Sequence, residues 1–475
     1  MMEISLFYPG VQPDYHVYEA LQIFGDAGIV LALHPDSDNL LIRVTGDNGA
    51  VLELTPPDPA VTDNKELVRY LYCRISEFTG YRSPWGCLTG VRPTKIVNQL
   101  LAASRSRSEV RDELTGFYCA RPVKAKLALT TAANQKAFLA EQAADPSRIG
   151  IYIGIPFCPT RCVYCSFTSN SIEKYRGRVD EYLRLLRAEM EAVAALVREQ
   201  SLKLESVYIG GGTPTSLSEP QFARLIDDAA ELFTSRSAYL REFSVEAGRP
   251  DSITAGKLTA MRAAGVNRIS INPQTMNDAT LELIGRRHTA EDTLRAFELA
   301  RAQGFDNINA DIICGLPGEY FGMFSHTLDV LETLAPESVT VHTLSVKRAA
   351  DLKRDSRREL LRSNVTGRMV GSACRRLTTR GLRPYYMYRQ KNMLGNHENV
   401  SYCLPGHESP YNIHIMEEDQ TILALGAGGV SKRVTPGVIR RAFNVKSVEE
   451  YLARSTEMAA RKRALFEEAE RNGTT

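Results

Sequence analysis

Three cysteines stand within eight residues, in Tyr152-Ile153-Gly154-Ile155-Pro156-Phe157-Cys158-Pro159-Thr160-Arg161-Cys162-Val163-Tyr164-Cys165. Thiolates are soft ligands suited to zinc and to iron–sulfur clusters. A closed zinc site needs a fourth Cys or His, and the loop holds none. The spacing C-x3-C-x2-C instead supplies three ligands to a four-iron cluster, leaving one iron open to a small molecule. The other six cysteines (Cys73, Cys87, Cys119, Cys314, Cys374 and Cys403) are scattered singly and read as small buried hydrophobes. Nine cysteines in 475 residues are no disulfide framework, and the clustered three point to metal in a reducing compartment. A second candidate is Tyr208-Ile209-Gly210-Gly211-Gly212-Thr213-Pro214-Thr215. Its glycines let backbone come close to a ligand, although a tight strand-to-helix turn has the same composition.

The elements that must carry these loops follow from hydrophobic periodicity. Short β-branched runs at Ile149–Ile155, Ser206–Ile209, Phe243–Glu246, Asn267–Ile271, Ile308–Ile313 and Val339–Leu344 alternate with amphipathic helices. One helix places Tyr182, Leu185, Leu186, Met190, Val193 and Val197 on a single face; another opens on Ser218-Glu219-Pro220-Gln221, a capping box. Six β/α units in succession require a parallel sheet, because each parallel strand needs a crossover. The fold class is therefore α/β, a partial (β/α)6 barrel of TIM type spanning 146–346, in which chemistry sits at the C-terminal strand ends. Residues 1–145 read as an N-terminal α+β accessory domain, with strands at Leu40–Val44 and Val51–Leu54 around a Gly46-Asp47-Asn48-Gly49 turn. Residues 347–475 read as a C-terminal domain covering the substrate. From Lys347 to Lys391 it holds fourteen Lys or Arg against three Asp or Glu, with Tyr385, Tyr386 and Tyr388 near the end.

A net charge of +2 offers no field that would attract nucleic acid, and no apolar run approaches a membrane span. With no leader-like N-terminus, a cytoplasmic protein is expected.

The cysteine spacing, with the glycine run one β/α unit later, resembles the loops of radical S-adenosylmethionine (SAM) enzymes. Residues from about 150 to 430 resemble the oxygen-independent coproporphyrinogen III oxidase (coproporphyrinogen dehydrogenase) family. The long N-terminal extension, Glu246-Ala247-Gly248-Arg249-Pro250 and Tyr388-Arg389-Gln390-Lys391 are similar to its HemZ branch. The resemblance implies a [4Fe–4S] cluster on Cys158, Cys162 and Cys165. It implies SAM contacts from Tyr152, Gly211, Gly212, Thr213, Glu246 (ribose), Gln274, Arg286 (carboxylate) and Asp311. It further implies oxidative decarboxylation of coproporphyrinogen III to protoporphyrinogen IX in haem biosynthesis, by a monomer served by an electron donor such as flavodoxin or ferredoxin. The chain departs from the best-studied branch at Gly154, where that branch has histidine, and at Phe167, where it has a fourth cysteine. The neighbouring haem-chaperone branch carries His-Asn where this chain has Tyr411-Asn412, and a tryptophan that is lost here. A haem-binding chaperone, or a radical SAM enzyme acting on another tetrapyrrole, are the alternative readings. For a tetracarboxylate ring the basic stretch offers cationic partners, the three tyrosines a wall, and His342 and His414 candidate ligands.

Overall fold

The computed structural model describes residues 2–9, 15–25, 29–57, 63–90, 92–165, 170–234, 237–347, 352, 360–361 and 363–472. Phe167 and part of the basic stretch after Lys347 lie outside these residues.

The N-terminal unit forms a sheet of its own from β1 (Glu3–Pro9), β2 (Val30–His34), β3 (Asp36–Thr45) and β4 (Val51–Leu54), in the order β2-β1-β3-β4. The hairpin between β3 and β4 turns at Gly46–Gly49, closed by a hydrogen bond from Gly46 N to Ala50 O. A helix at Pro122–Ala144 ends the unit and brings the chain to the barrel. Trp85 is fully buried, its Nε1 donating to Glu398 Oε2 at 2.8 Å.

All six expected barrel strands form: β5 (Arg148–Ile155), β6 (Lys203–Gly211), β7 (Glu242–Gly248), β8 (Arg268–Ile271), β9 (Ile308–Cys314) and β10 (Ser338–Thr343). Each pairs in parallel with the next. Alternation along β5 buries Ile149, Ile151, Ile153 and Ile155 together on one face, so that Tyr152 and Gly154 share the other. The crossover helix Val179–Glu199 buries Tyr182, Leu186, Met190 and Val193 as its periodicity requires. The capping box at Ser218 and Gln221 is present.

Beyond residue 347 the chain does not build a separate sheet among the described residues. β11 (Arg383–Tyr388) and β12 (Asn399–Cys403) add antiparallel beyond β10, whereas β13 (Thr421–Leu425) pairs parallel with β5 at the opposite edge. β14 (Val430–Thr435) and β15 (Val438–Phe443) follow it antiparallel. The result is one eleven-stranded sheet in the order β11-β12-β10-β9-β8-β7-β6-β5-β13-β14-β15. A partial barrel leaves two edges of unpaired N–H and C=O groups, and the C-terminal segment satisfies both.

A buried ion pair locks the last helix, Val448–Asn472, to the barrel. Lys462 Nζ lies 2.6 Å from Glu189 Oε1 and 2.8 Å from Asn444 Oδ1. Glu189 Oε2 accepts from Tyr451 OH at 2.6 Å and from Gly426 N at 3.0 Å. Among the described residues no helix is long and apolar enough to cross a membrane. Removing one partner of a fully buried pair strands the other charge, so Lys462→Met should cost about 3–5 kcal/mol of stability, read as a lowered urea midpoint.

Candidate functional site

The cysteine loop leaves β5 at the end where β6 delivers the glycine run. Register pairs Gly154 with Gly210 and Ile155 with Gly211. Two short backbone hydrogen bonds then join the loops, Gly212 N to Ile155 O and Thr213 N to Phe157 O, each 2.7 Å. A Cβ on Gly212 would lie 2.5 Å from Phe157 O and 3.0 Å from Cys158 Sγ, so only a bare α-carbon fits. Gly211 has φ +110°, a conformation open chiefly to glycine. Thr213 Oγ1 donates to Cys158 Sγ at 3.6 Å. Burial pushes the Cys158 thiol up to about 11, with the Thr213 hydrogen bond opposing. The far side of the loop is tied to the segment after β8, through Val163 N to Ile284 O (3.1 Å) and Thr160 Oγ1 to Gly285 O (2.9 Å). Arg249, at the end of β7, donates to Thr160 O at 2.7 Å.

Two carboxylates stand on the strands that flank β8, and their carboxyls are shifted in opposite directions. Glu246 on β7 accepts from Tyr208 OH at 2.7 Å and from Gly211 N at 3.2 Å. Burial, with a further push from the Asp311 charge, lifts its carboxyl to about 7. Asp311 on β9 is also buried, which works against ionisation. The nearby His342, the hydrogen bond from Asn309 and the Thr340 hydroxyl outweigh that and hold its carboxyl below the usual range. Asn309 Nδ2 is 2.7 Å from Asp311 Oδ1, and His342 Nε2 is 3.7 Å from Oδ2. Gln274 has φ +68°, uncommon for a non-glycine residue. The backbone hydrogen bonds Gln274 N to Asp311 O (2.9 Å) and Ile313 N to Gln274 O (3.0 Å) impose it. Arg286 donates through Nη1 to Asn272 O at 2.6 Å, while its buried Nε finds no acceptor among the described residues.

These groups converge on a cavity of about 380 Å³. Cys158, Cys162 and Cys165 line it together with Gly211, Gly212, Thr213, Glu246, Gln274, Arg286 and Asp311. Tyr152 is the one candidate outside the wall. Its ring stacks with Tyr208 and Tyr411 at centroid distances of 6.3 and 6.1 Å, behind Gly211. Tyr386 and Tyr388 line the cavity as a parallel pair 6.4 Å apart. Tyr385 alternates to the opposite face, fully buried, with its hydroxyl 3.4 Å from Arg268. His342 joins the wall, but His414 does not: it is a core residue between Asp419 (2.9 Å) and Glu205 (3.5 Å). Arg249, Tyr164, Asn309 and Lys347 also line the cavity and were not singled out from the sequence. Arg249 lies just past the end of β7 and Tyr164 within the cysteine loop, whereas Asn309, near the start of β9, carried no such signal.

Three thiols on one loop beside a bare Gly212, a buried guanidinium nitrogen with no acceptor among the described residues and two acceptor carboxylates fit a three-thiolate cluster. They also fit a zwitterionic small molecule bearing a ribose. The fold and this donor set agree with a match to the Radical SAM superfamily over residues 152–331. The chain is 40% identical over 461 residues to the oxygen-independent coproporphyrinogen-III oxidase-like protein HemZ of Bacillus subtilis, covering 94% of this chain and 90% of HemZ. It is 32% identical to the haem chaperone HemW of the same organism, over 67% of this chain and 81% of HemW. Coproporphyrinogen III oxidase (HemN) of Escherichia coli superposes with a TM-score of 0.53 at 25% identity, over 68% of this chain and 73% of that one. The chain belongs to the oxygen-independent coproporphyrinogen-III oxidase-like family of radical SAM proteins, and its cofactors are a [4Fe–4S] cluster and SAM.

Gly212→Ala should force the two loops apart. Iron content after anaerobic reconstitution should fall from about four per chain toward zero, while the circular dichroism spectrum is retained.

Proposed function

We propose that the protein is a radical SAM oxidoreductase that decarboxylates two propionate side chains of coproporphyrinogen III to vinyl groups, giving protoporphyrinogen IX. The observation that carries this reading is the cavity itself. It sets the three thiols and Glu246 against a wall of stacked Tyr386 and Tyr388, with Arg249, Arg286 and Lys347 as cations. When bound, the cluster supplies one electron for reductive cleavage of SAM to methionine and a 5′-deoxyadenosyl radical. In this assignment Cys158, Cys162 and Cys165 hold the cluster. Gly211, Gly212 and Thr213 cradle the methionine moiety with Gln274 and Asp311, and Arg286 takes its carboxylate on a guanidinium fork. Glu246 accepts from the ribose hydroxyls, and Tyr152 backs the floor. Tyr386 and Tyr388 offer flat faces to a tetrapyrrole whose carboxylates meet the cations. Barrel 146–346 would do the chemistry, closed by 347–475 and attached to accessory unit 1–145. A one-electron donor of flavodoxin or ferredoxin type would serve a cytoplasmic monomer.

The likeness to HemW supports a second reading, a haem chaperone. Against it stands Tyr411. It takes the position of the chaperone-branch histidine and buries its ring 4.4 Å from that of Tyr208, leaving no imidazole there for haem iron.

The reduced, cluster-loaded protein, supplied with SAM and an electron acceptor, should convert coproporphyrinogen III to protoporphyrinogen IX; each propionate gives up one hydrogen atom to form 5′-deoxyadenosine, one CO2 and one electron to that acceptor. Tight haem binding without substrate-dependent SAM cleavage would select the chaperone instead. A carboxyl held near 7 is protonated below that pH and becomes a full acceptor above it. SAM should therefore bind more tightly as pH rises from about 6 to about 8, and Glu246→Gln should remove that dependence. Glu246→Ala should weaken SAM by about 1–3 kcal/mol and leave the cluster spectrum unchanged.

A further inference from the structure

A second and larger cavity, of about 930 Å³, opens where the N-terminal unit meets the helix Ser363–Thr379. It shares no lining residue with the cysteine cavity. Its size is at the upper end of the range for organic ligands.

Charge is the first unusual property of this cleft. Arg82 and Arg121 line it from the N-terminal unit, and Arg368 and Arg375 from the helix. Among the described residues none of the four has a carboxylate within ion-pair range. Arg121 donates instead to the backbone carbonyl of Arg82 at 2.7 Å. The guanidinium of Arg368 lies 4.6 Å over the ring of Phe321. The one carboxylate in the lining, Glu398, is already held by Lys124 at 2.5 Å and by Trp85 at 2.8 Å. Four exposed arginines thus border one cleft with no carboxylate partner among the described residues, an arrangement that favours an anion there.

The second property is an orphaned polar group. His397 lines the cleft, is 9% exposed, and its buried Nδ1 has no hydrogen-bond partner among the described residues. Burial and the nearby Lys124 and Arg121 hold its imidazole near 4 despite Glu398, so the ring is neutral at physiological pH. Its Nε2 sits against Gly367, where a Cβ would come within 2.8 Å. The third property is an apolar wall: Val123, Leu127 and Phe321 line the same space, and Val123 is 62% exposed to it and to solvent.

We propose that this cleft is a second ligand site, for a bulky organic polyanion. Its carboxylates or phosphates rest on the guanidinium forks of Arg82, Arg121, Arg368 and Arg375, and its apolar body lies on Val123, Leu127 and Phe321. His397 meets a polar atom of the ligand from the floor. Guanidinium forks pair with both kinds of acid group, so a porphyrin polycarboxylate and a nucleotide share this chemistry.

The test is titration of the full-length, cluster-loaded protein at saturating SAM with coproporphyrin III and, separately, with ATP, followed by calorimetry. At least one probe should bind. The exposed double substitution Arg368→Glu with Arg375→Glu should weaken it tenfold or more, and His397→Gln several-fold. Arg184→Glu, a like charge change on an exposed face of another helix, should leave it unaltered. Porphyrin binding alone identifies a carboxylated ring, ATP binding alone a nucleotide, and binding of both a site selective for charge and bulk. Failure of both probes, or binding that the double substitution leaves intact, overturns the proposal; unchanged melting of each variant shows that the fold survives.

Discussion

The two backbone hydrogen bonds that tie Gly212 and Thr213 to Ile155 and Phe157 are the constraint on which the site depends. They cross between loops leaving adjacent parallel strands, so they form only if β5 and β6 hold their register to the last residue. The cost of that closeness is paid by sequence: no side chain fits at 212, and 211 takes a backbone conformation suited to glycine. Once the junction closes, Cys158 is fixed against Thr213, and the rest of its loop is anchored across the barrel mouth by Ile284 and Gly285.

The electrostatics of the mouth follow from which strand end each group occupies. Glu246 and Asp311 are both buried carboxyls, yet one is lifted toward neutrality and the other held ionised. The difference lies in donors. Asp311 faces His342, Asn309 and Thr340, whereas Glu246 has Tyr208 and one backbone amide and also feels the charge of Asp311. Arg249 and Arg286 stand beside the cysteine loop, where they offset the negative charge that thiolates bring. A molecule carrying both a carboxylate and hydroxyls therefore meets a donor side and an acceptor side within one cavity.

The C-terminal segment has a structural task that its composition hides. By adding β11 and β12 at one edge and β13 to β15 at the other, it removes both open edges of the partial barrel. The Lys462–Glu189 pair then ties the final helix to the loop that follows β13, since Glu189 also accepts from Gly426 N. The same segment delivers Tyr386 and Tyr388 to the cavity wall, so extending the sheet and shaping the cavity are one event.

The local code of this chain was legible in its residues alone. The period-two and helical patterns located six strands and their crossovers to within a few residues, and the capping box at Ser218 marked a helix start. The cysteine and glycine motifs account for six of the candidate residues on the cavity (Cys158, Cys162, Cys165, Gly211, Gly212 and Thr213), and the family resemblance supplied Glu246, Gln274, Arg286 and Asp311; a parallel β/α chain brings every strand's C-terminal end to one side. What only the tertiary structure decided involves partners distant in sequence. No periodicity could reveal that Thr421–Leu425 pairs with β5, that Tyr385 turns away from Tyr386 and Tyr388, or that His414 is spent on Glu205 and Asp419. Nor could it assemble Arg82, Arg121, Arg368 and Arg375 around one cleft. Backbone pattern is set by neighbours a few residues away. Charge pairing and cavity shape are set by groups hundreds of residues apart, which meet only when the sheet is assembled.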